Sequence, residues 1–159
     1  MPGYGIADAS TTLVGQSIGA GRKPLAKRFA WITTLLGMGI MGLLAILMYI
    51  FAPQMIGIMS PDADVISLGS RVLRIEAFAE IGYAASIVAY GAFVGAGDTK
   101  WPSFMNLGSM WIVRIIPAIF LTRRYGLVGF WICMAVELSF RGLIFLIRLM
   151  RGKWLNKTI

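Results

Sequence analysis

A chain of 159 residues that is 58% hydrophobic and 14% charged, with a mean hydropathy of +0.77, does not fit a water-soluble domain. Charged residues normally make up about a quarter of such a domain. The net charge of +8 would suggest nucleic acid in a soluble protein, but the bases sit at the ends of apolar runs, where membrane proteins keep them, so no nucleic-acid partner is expected. With no His and one cysteine, Cys133, the sequence offers no disulfide, metal cluster or nucleophile–base pair, and neither enzyme activity nor a cofactor is expected.

In chain order, Met1 to Ala20 has no basic start and contains Asp8, so it does not read as a secretory signal. Residues 6–20 hold Ser10, Thr11, Thr12 and Gln16 and are expected to be the end of a spanning helix whose first part precedes the chain. A spanning helix needs about 20 mostly apolar residues. Residues 29–52 satisfy this without a single charge, with Gly37, Gly39 and Gly42 allowing close approach by a neighbour and Pro53 expected to end the helix. The next helix starts at Ser60-Pro61-Asp62, which combines a capping residue, a first-turn proline and a carboxylate at the positive helix end. Its span, 65–97, is mixed at first (Arg71, Arg74, Glu76, Glu80) and uncharged from Ile81 to Gly97.

A turn at Gly95-Ala96-Gly97-Asp98-Thr99-Lys100 leads into a third span, 103–122, with Asp98 or Thr99 as its cap, Arg114 within it and a kink expected at Pro117. Residues 123–126 make a short connection, the fourth span covers 127–147 with Glu137 and Arg141 inside, and a basic tail closes the chain with Arg148, Arg151, Lys153 and Lys157. Trp31, Trp101 and Trp154 are expected at the membrane interfaces. The fold class is therefore an all-α polytopic membrane bundle of four complete spans and the end of a fifth, since backbone polar groups in lipid must be bonded within helices or a closed barrel and these runs are too long for barrel strands. Four crossings place nine bases on one side and two, Arg123 and Arg124, on the other, which predicts a cytoplasmic C-terminus.

Intramembrane charges mark functional positions. Glu76, Glu80, Tyr83, Ile87 and Tyr90 share one helical face, and a carboxylate pair with tyrosine hydroxyls can hold a proton or Na⁺. The competing reading is neutralisation of Glu76 by Arg71 or Arg74, with Glu80 near the water interface. Glu137 and Arg141 are four apart in the favoured order for a helical ion pair. Arg114 also needs a partner, either Glu137 or a carboxylate of the second span.

Two motifs combine. Leu13-Val14-Gly15-Gln16-x-x-Gly19-Ala20-Gly21 precedes a basic stretch, and Gly95-Ala96-Gly97-Asp98-Thr99-Lys100-x-Pro102 follows two helices later. Alone, Gly15 and Gly19 allow a close helix crossing, and the second motif lacks the spacing of a phosphate-binding loop. Together, with Asn106 and Trp111-Ile112-Val113-Arg114, they resemble the multidrug and toxic compound extrusion (MATE) family. The resemblance covers nearly the whole chain and implies the end of the eighth helix plus the ninth to twelfth of a two-half transporter. It also implies export of organic cations or amphipathic compounds in exchange for Na⁺ or H⁺, lipid as surroundings, a bacterial-type inner membrane as location and a missing N-terminal half as partner. The family's Na⁺-linked acid falls at Tyr83 here, with Glu80 one turn earlier. A related lipid-linked or polysaccharide flippase, or a small membrane scaffold subunit, are the alternatives.

Overall fold

The computed structural model describes residues 2–156, and the last base of the tail, Lys157, lies outside them. Every regular element among them is helical: α1 (Pro2–Gly19), α2 (Lys23–Met59), α3 (Ala63–Gly95), α4 (Lys100–Gly108), a π-helical segment (Ser109–Ile115), α5 (Ile116–Arg151) and a final 3-10 turn (Lys153–Asn156). Three helical stretches are long and apolar enough to cross a membrane: 23–59, 63–95 and the run 100–151.

That last run is not straight. Gly126 has φ 58° and ψ −140°, a conformation closed to residues with a Cβ. Ser109 and Glu137 would lie about 42 Å apart in a continuous helix, yet their side chains meet at 2.7 Å. The run therefore folds back at Gly126 into two antiparallel arms, 100–125 and 127–151. Leu121 backs directly onto Gly129, where a Cβ would come within 2.5 Å of the Leu121 carbonyl oxygen. Helix persists through Arg123, Arg124 and Tyr125, so the connection expected at 123–126 narrows to one glycine.

Both prolines behave in ways the sequence hid. Pro53 was expected to end its helix, but α2 continues to Met59. A proline has no N–H to give the carbonyl four residues earlier. Here that carbonyl, Tyr49 O, accepts from Arg74 Nε at 3.3 Å instead, so the helix passes the gap with its polar group satisfied. Pro117 follows the π segment, in which the Ile116 N–H donates to Trp111 O, five residues back. The wider π turn is how the outgoing arm absorbs the distortion.

The helices meet through small residues. α3 is the central element, packed on α1, α2 and α5. Added Cβ atoms at Gly91 and Gly95 would run into the Ala7 and Thr11 carbonyls of α1, and one at Gly82 would come within 2.8 Å of Ser139 Cα on the return arm. A Cβ at Gly15 would lie 3.3 Å from Gly95 O, as the close-crossing reading expects; Gly19 and Gly39 face open space and carry no such contact. Gly37 sits against Val88 and Gly42 against Ile81. Hydroxyls add interhelical bonds: Thr33 Oγ1 donates to Ser10 Oγ at 2.9 Å, and Thr11 Oγ1 to Gly91 O at 2.9 Å.

At one end of the bundle, Val14, Ala26, Ala30, Phe93, Phe145 and Trp154 form a common cluster. It gathers the end of α1, the start of α2 and the ends of α3 and α5, so the basic first loop, Lys100 and the basic tail share one end of the molecule. Trp154 is not an interfacial residue. It is fully buried and donates from Nε1 to Leu149 O at 3.3 Å, reached because Gly152, at φ 66°, turns the chain back onto the bundle. Trp101 is exposed.

Candidate functional site

Two polar features lie inside this apolar shell. The first is an ion cluster that ties the two arms together. Glu137, fully buried, accepts from Ser109 Oγ at 2.7 Å, pairs with Arg114 Nη2 at 2.9 Å and contacts Arg141 Nε at 3.1 Å. The i, i+4 pair is therefore present, and Arg114 finds its partner in the same carboxylate. Glu76 of α3 stands beside this cluster, and Glu80 lies one turn further along the same helix. Glu76 is within electrostatic reach of Arg114 and of Glu80. One carboxylate oxygen of each, Oε2, is buried without a hydrogen-bond partner among the described residues.

The expected rivals for Glu76 are elsewhere. Arg74 is committed to the α2 backbone at Tyr49 and stacks over that ring at 5.4 Å, and Arg71 is exposed at the edge of the same α2–α3 hollow. The reason is direction: Arg71 and Arg74 leave α3 toward α2, and Glu76 leaves it toward the hairpin.

The second feature is a groove of about 460 Å³ between α1, α3 and the hairpin. Its walls include Tyr4, Asp8 and Thr11 from α1, Tyr83, Ile87 and Tyr90 from α3, and Asn106 and Arg141 from the hairpin. The hydroxyls of Tyr4 and Tyr83 are 3.1 Å apart. The face expected to hold Glu76, Glu80, Tyr83, Ile87 and Tyr90 thus divides: the last three line the groove, and the two acids do not. Arg141 joins the two features, since it both contacts Glu137 and lines the groove. Sequence reasoning gave Tyr4, Asp8 and Thr11 no role. Their signal was polarity in an otherwise spanning helix, which only the position of α1 beside α3 turns into a wall.

Gly97, at φ 75°, reverses the chain after α3, with Asp98 N–H donating to Phe93 O at 2.9 Å, a helix-ending arrangement typical of glycine. Thr99 occupies the cap position of α4 without a side-chain cap bond, and Asp98 is buried in an ion pair with Arg148. Neither caps α4 through its side chain in the way expected. Gln16 is exposed on α1.

The model of the MatE family matches residues 1–120, three quarters of the chain. The chain belongs to the MatE family. It is 31% identical to a probable multidrug resistance protein NorM of Thermotoga maritima, covering all of this chain and 35% of that protein. A probable NorM of Mannheimia succiniciproducens is 32% identical over 89% of this chain and 32% of its own length, and the uncharacterized transporter YisQ of Bacillus subtilis is 26% identical over 98% and 34%. The chain spans about a third of the length of these relatives. Family membership and the long apolar helices make it an integral membrane protein.

Proposed function

We propose that this chain is the C-terminal third of a multidrug efflux antiporter that exports organic cations or amphipathic compounds in exchange for Na⁺ or H⁺. One observation carries the reading. Glu137 is buried between the guanidinium groups of Arg114 and Arg141, the half-buried Glu76 is within electrostatic reach of Arg114, and the buried Glu80 is within reach of Glu76, so three carboxylates share two guanidinium groups. A buried cluster short of one positive charge is costly and is relieved by a proton or Na⁺, which is what a coupling site must bind and release. The names of the relatives, multidrug resistance proteins, support the substrate class. A flippase for phosphate-linked lipids would call for the opposite balance, an excess of guanidinium groups.

In this reading the hairpin arms are separate crossings, so α2, α3 and the two arms make four, after the end of an earlier helix in α1. The basic end faces the cytoplasm of a bacterial-type inner membrane. A further N-terminal segment, from the same or a second chain, faces the groove, and one half rocks against the other. Glu80 is the favoured coupling group, with Glu76 and Tyr83 assisting.

The test is Glu80→Gln in the whole transporter. Loss of ion-driven efflux at normal membrane abundance is expected, and unchanged drug resistance would remove Glu80 from the mechanism. Orientation is checked with a single cysteine at Lys153: reaction with an impermeant thiol reagent in intact cells would contradict a cytoplasmic C-terminus.

A further inference from the structure

A second cavity of about 460 Å³ opens at the basic end of the bundle, where the outgoing arm begins and the return arm ends. Its polar rim is Arg148, Arg151 and Lys153, with Trp101 beside them. Its other walls are the apolar side chains of Met105, Ile144 and Ile147. Arg148 is held in place: it pairs with the buried Asp98 and lies 5.7 Å from the Phe93 ring centroid and 5.8 Å from that of Trp101. Arg151 and Lys153 are exposed and make no ion pair among the described residues. Of the seven acidic residues in the chain, Asp98 alone lies at this end, and it is occupied by Arg148. The rim therefore keeps an excess of positive charge.

We propose that this cavity binds an anionic phospholipid, with its phosphate diester at Arg151 and Lys153 and an acyl chain along Met105, Ile144 and Ile147. The pattern matches the ligand at each level. Basic side chains stand at the depth of the headgroups, an exposed tryptophan marks the interface, and the apolar wall runs from there toward the membrane centre. Free phosphate would use only the rim and would leave that wall uncovered. The Gly152 turn gives the rim its shape, because it brings Lys153 back alongside Arg151 while Trp154 plugs into the core. The pairing of Asp98 with Arg148 keeps the α4 start and the α5 end together and so holds the cavity open between them.

This inference does not rest on the transport reading, because its readout is lipid binding. The chain, purified in a neutral detergent, is titrated with phosphatidylglycerol and with phosphatidylcholine of the same acyl composition, and retained lipid is counted by native mass spectrometry alongside thermal unfolding. Phosphatidylglycerol should be retained preferentially and raise the unfolding temperature. An R151Q/K153Q variant, which leaves the Arg148–Asp98 pair intact, should bind it about thirtyfold more weakly, at about fivefold per basic residue. An R123Q/R124Q variant removes the same charge from the opposite end and should bind as the parent does. Equal retention of both lipids, equal losses in the two variants, or equal protection by inorganic phosphate alone would each overturn the proposal. Unchanged thermal unfolding of lipid-free R151Q/K153Q checks that its loss is one of binding.

Discussion

Helices α2 and α3 lie side by side, and the more apolar of the two is the less buried. Only 28% of the most apolar stretch of α2 is covered by the rest of the chain, against 61% for α3. α2 turns Leu35, Leu36, Leu43, Ile46 and Ile50 outward. α3 buries Ala77, Ala79, Ala84, Ala85, Ala89 and Ala92, together with Ser70, Glu80 and Ser86. In water the order would be reversed. In hydrocarbon a large apolar side chain gains nothing by leaving lipid for a neighbouring helix, whereas small residues let backbones approach and polar ones find partners. Small and polar positions therefore mark the contacts, and bulk marks the lipid face.

That contrast can be broken or sharpened by four substitutions, each read as thermal unfolding of the purified chain in detergent. The largest effect is expected at Glu137. Glu137→Leu leaves Arg114 and Arg141 without their shared carboxylate and should cost about 3–5 kcal/mol; a neutral outcome would mean that the two arms are held by packing alone. Gly95→Val comes next, at about 3 kcal/mol, because its side chain meets the Thr11 backbone of α1 rather than a flexible side chain. Gly126→Ala should cost about 1–3 kcal/mol, since alanine cannot adopt φ 58° with ψ −140° without strain. Leu43→Ala, on the outer face of α2, should stay within about 0.5 kcal/mol. If Leu43→Ala destabilised as much as Gly95→Val, the outer face of α2 would be a protein contact and the contrast with α3 would fail.

Much of the bundle was legible in the sequence because hydrocarbon imposes a long, uncharged run on any helix that crosses it, and α2 and the second half of α3 are such runs. The Glu137–Arg141 pair was legible because four residues make one turn, a local relation. Partners across helices were not. The donor that satisfies the Tyr49 carbonyl, left open by Pro53, comes from Arg74, twenty-five residues on. The same bond removes Arg74 from Glu76. Asp98 reads as a cap from its neighbours, but its partner is Arg148, fifty residues away. Trp154 resembles an interfacial anchor until the left-handed Gly152 folds it inward. The groove needed the most tertiary information, since Tyr4, Asp8 and Thr11 become a wall only when α1 is laid against α3.

The π-helical segment has a consequence for the hairpin. Ser109 and Arg114 are five residues apart, and both reach Glu137. On a regular α-helix, side chains at that spacing point about 140° apart. Where bonds close after five residues, as between Ile116 and Trp111, the same two positions come round to much closer bearings. Were residues 109–115 to rewind into ordinary α geometry, one of these donors would swing toward the lipid, and a single acid could no longer serve as the knot through which both strands of the loop are drawn tight.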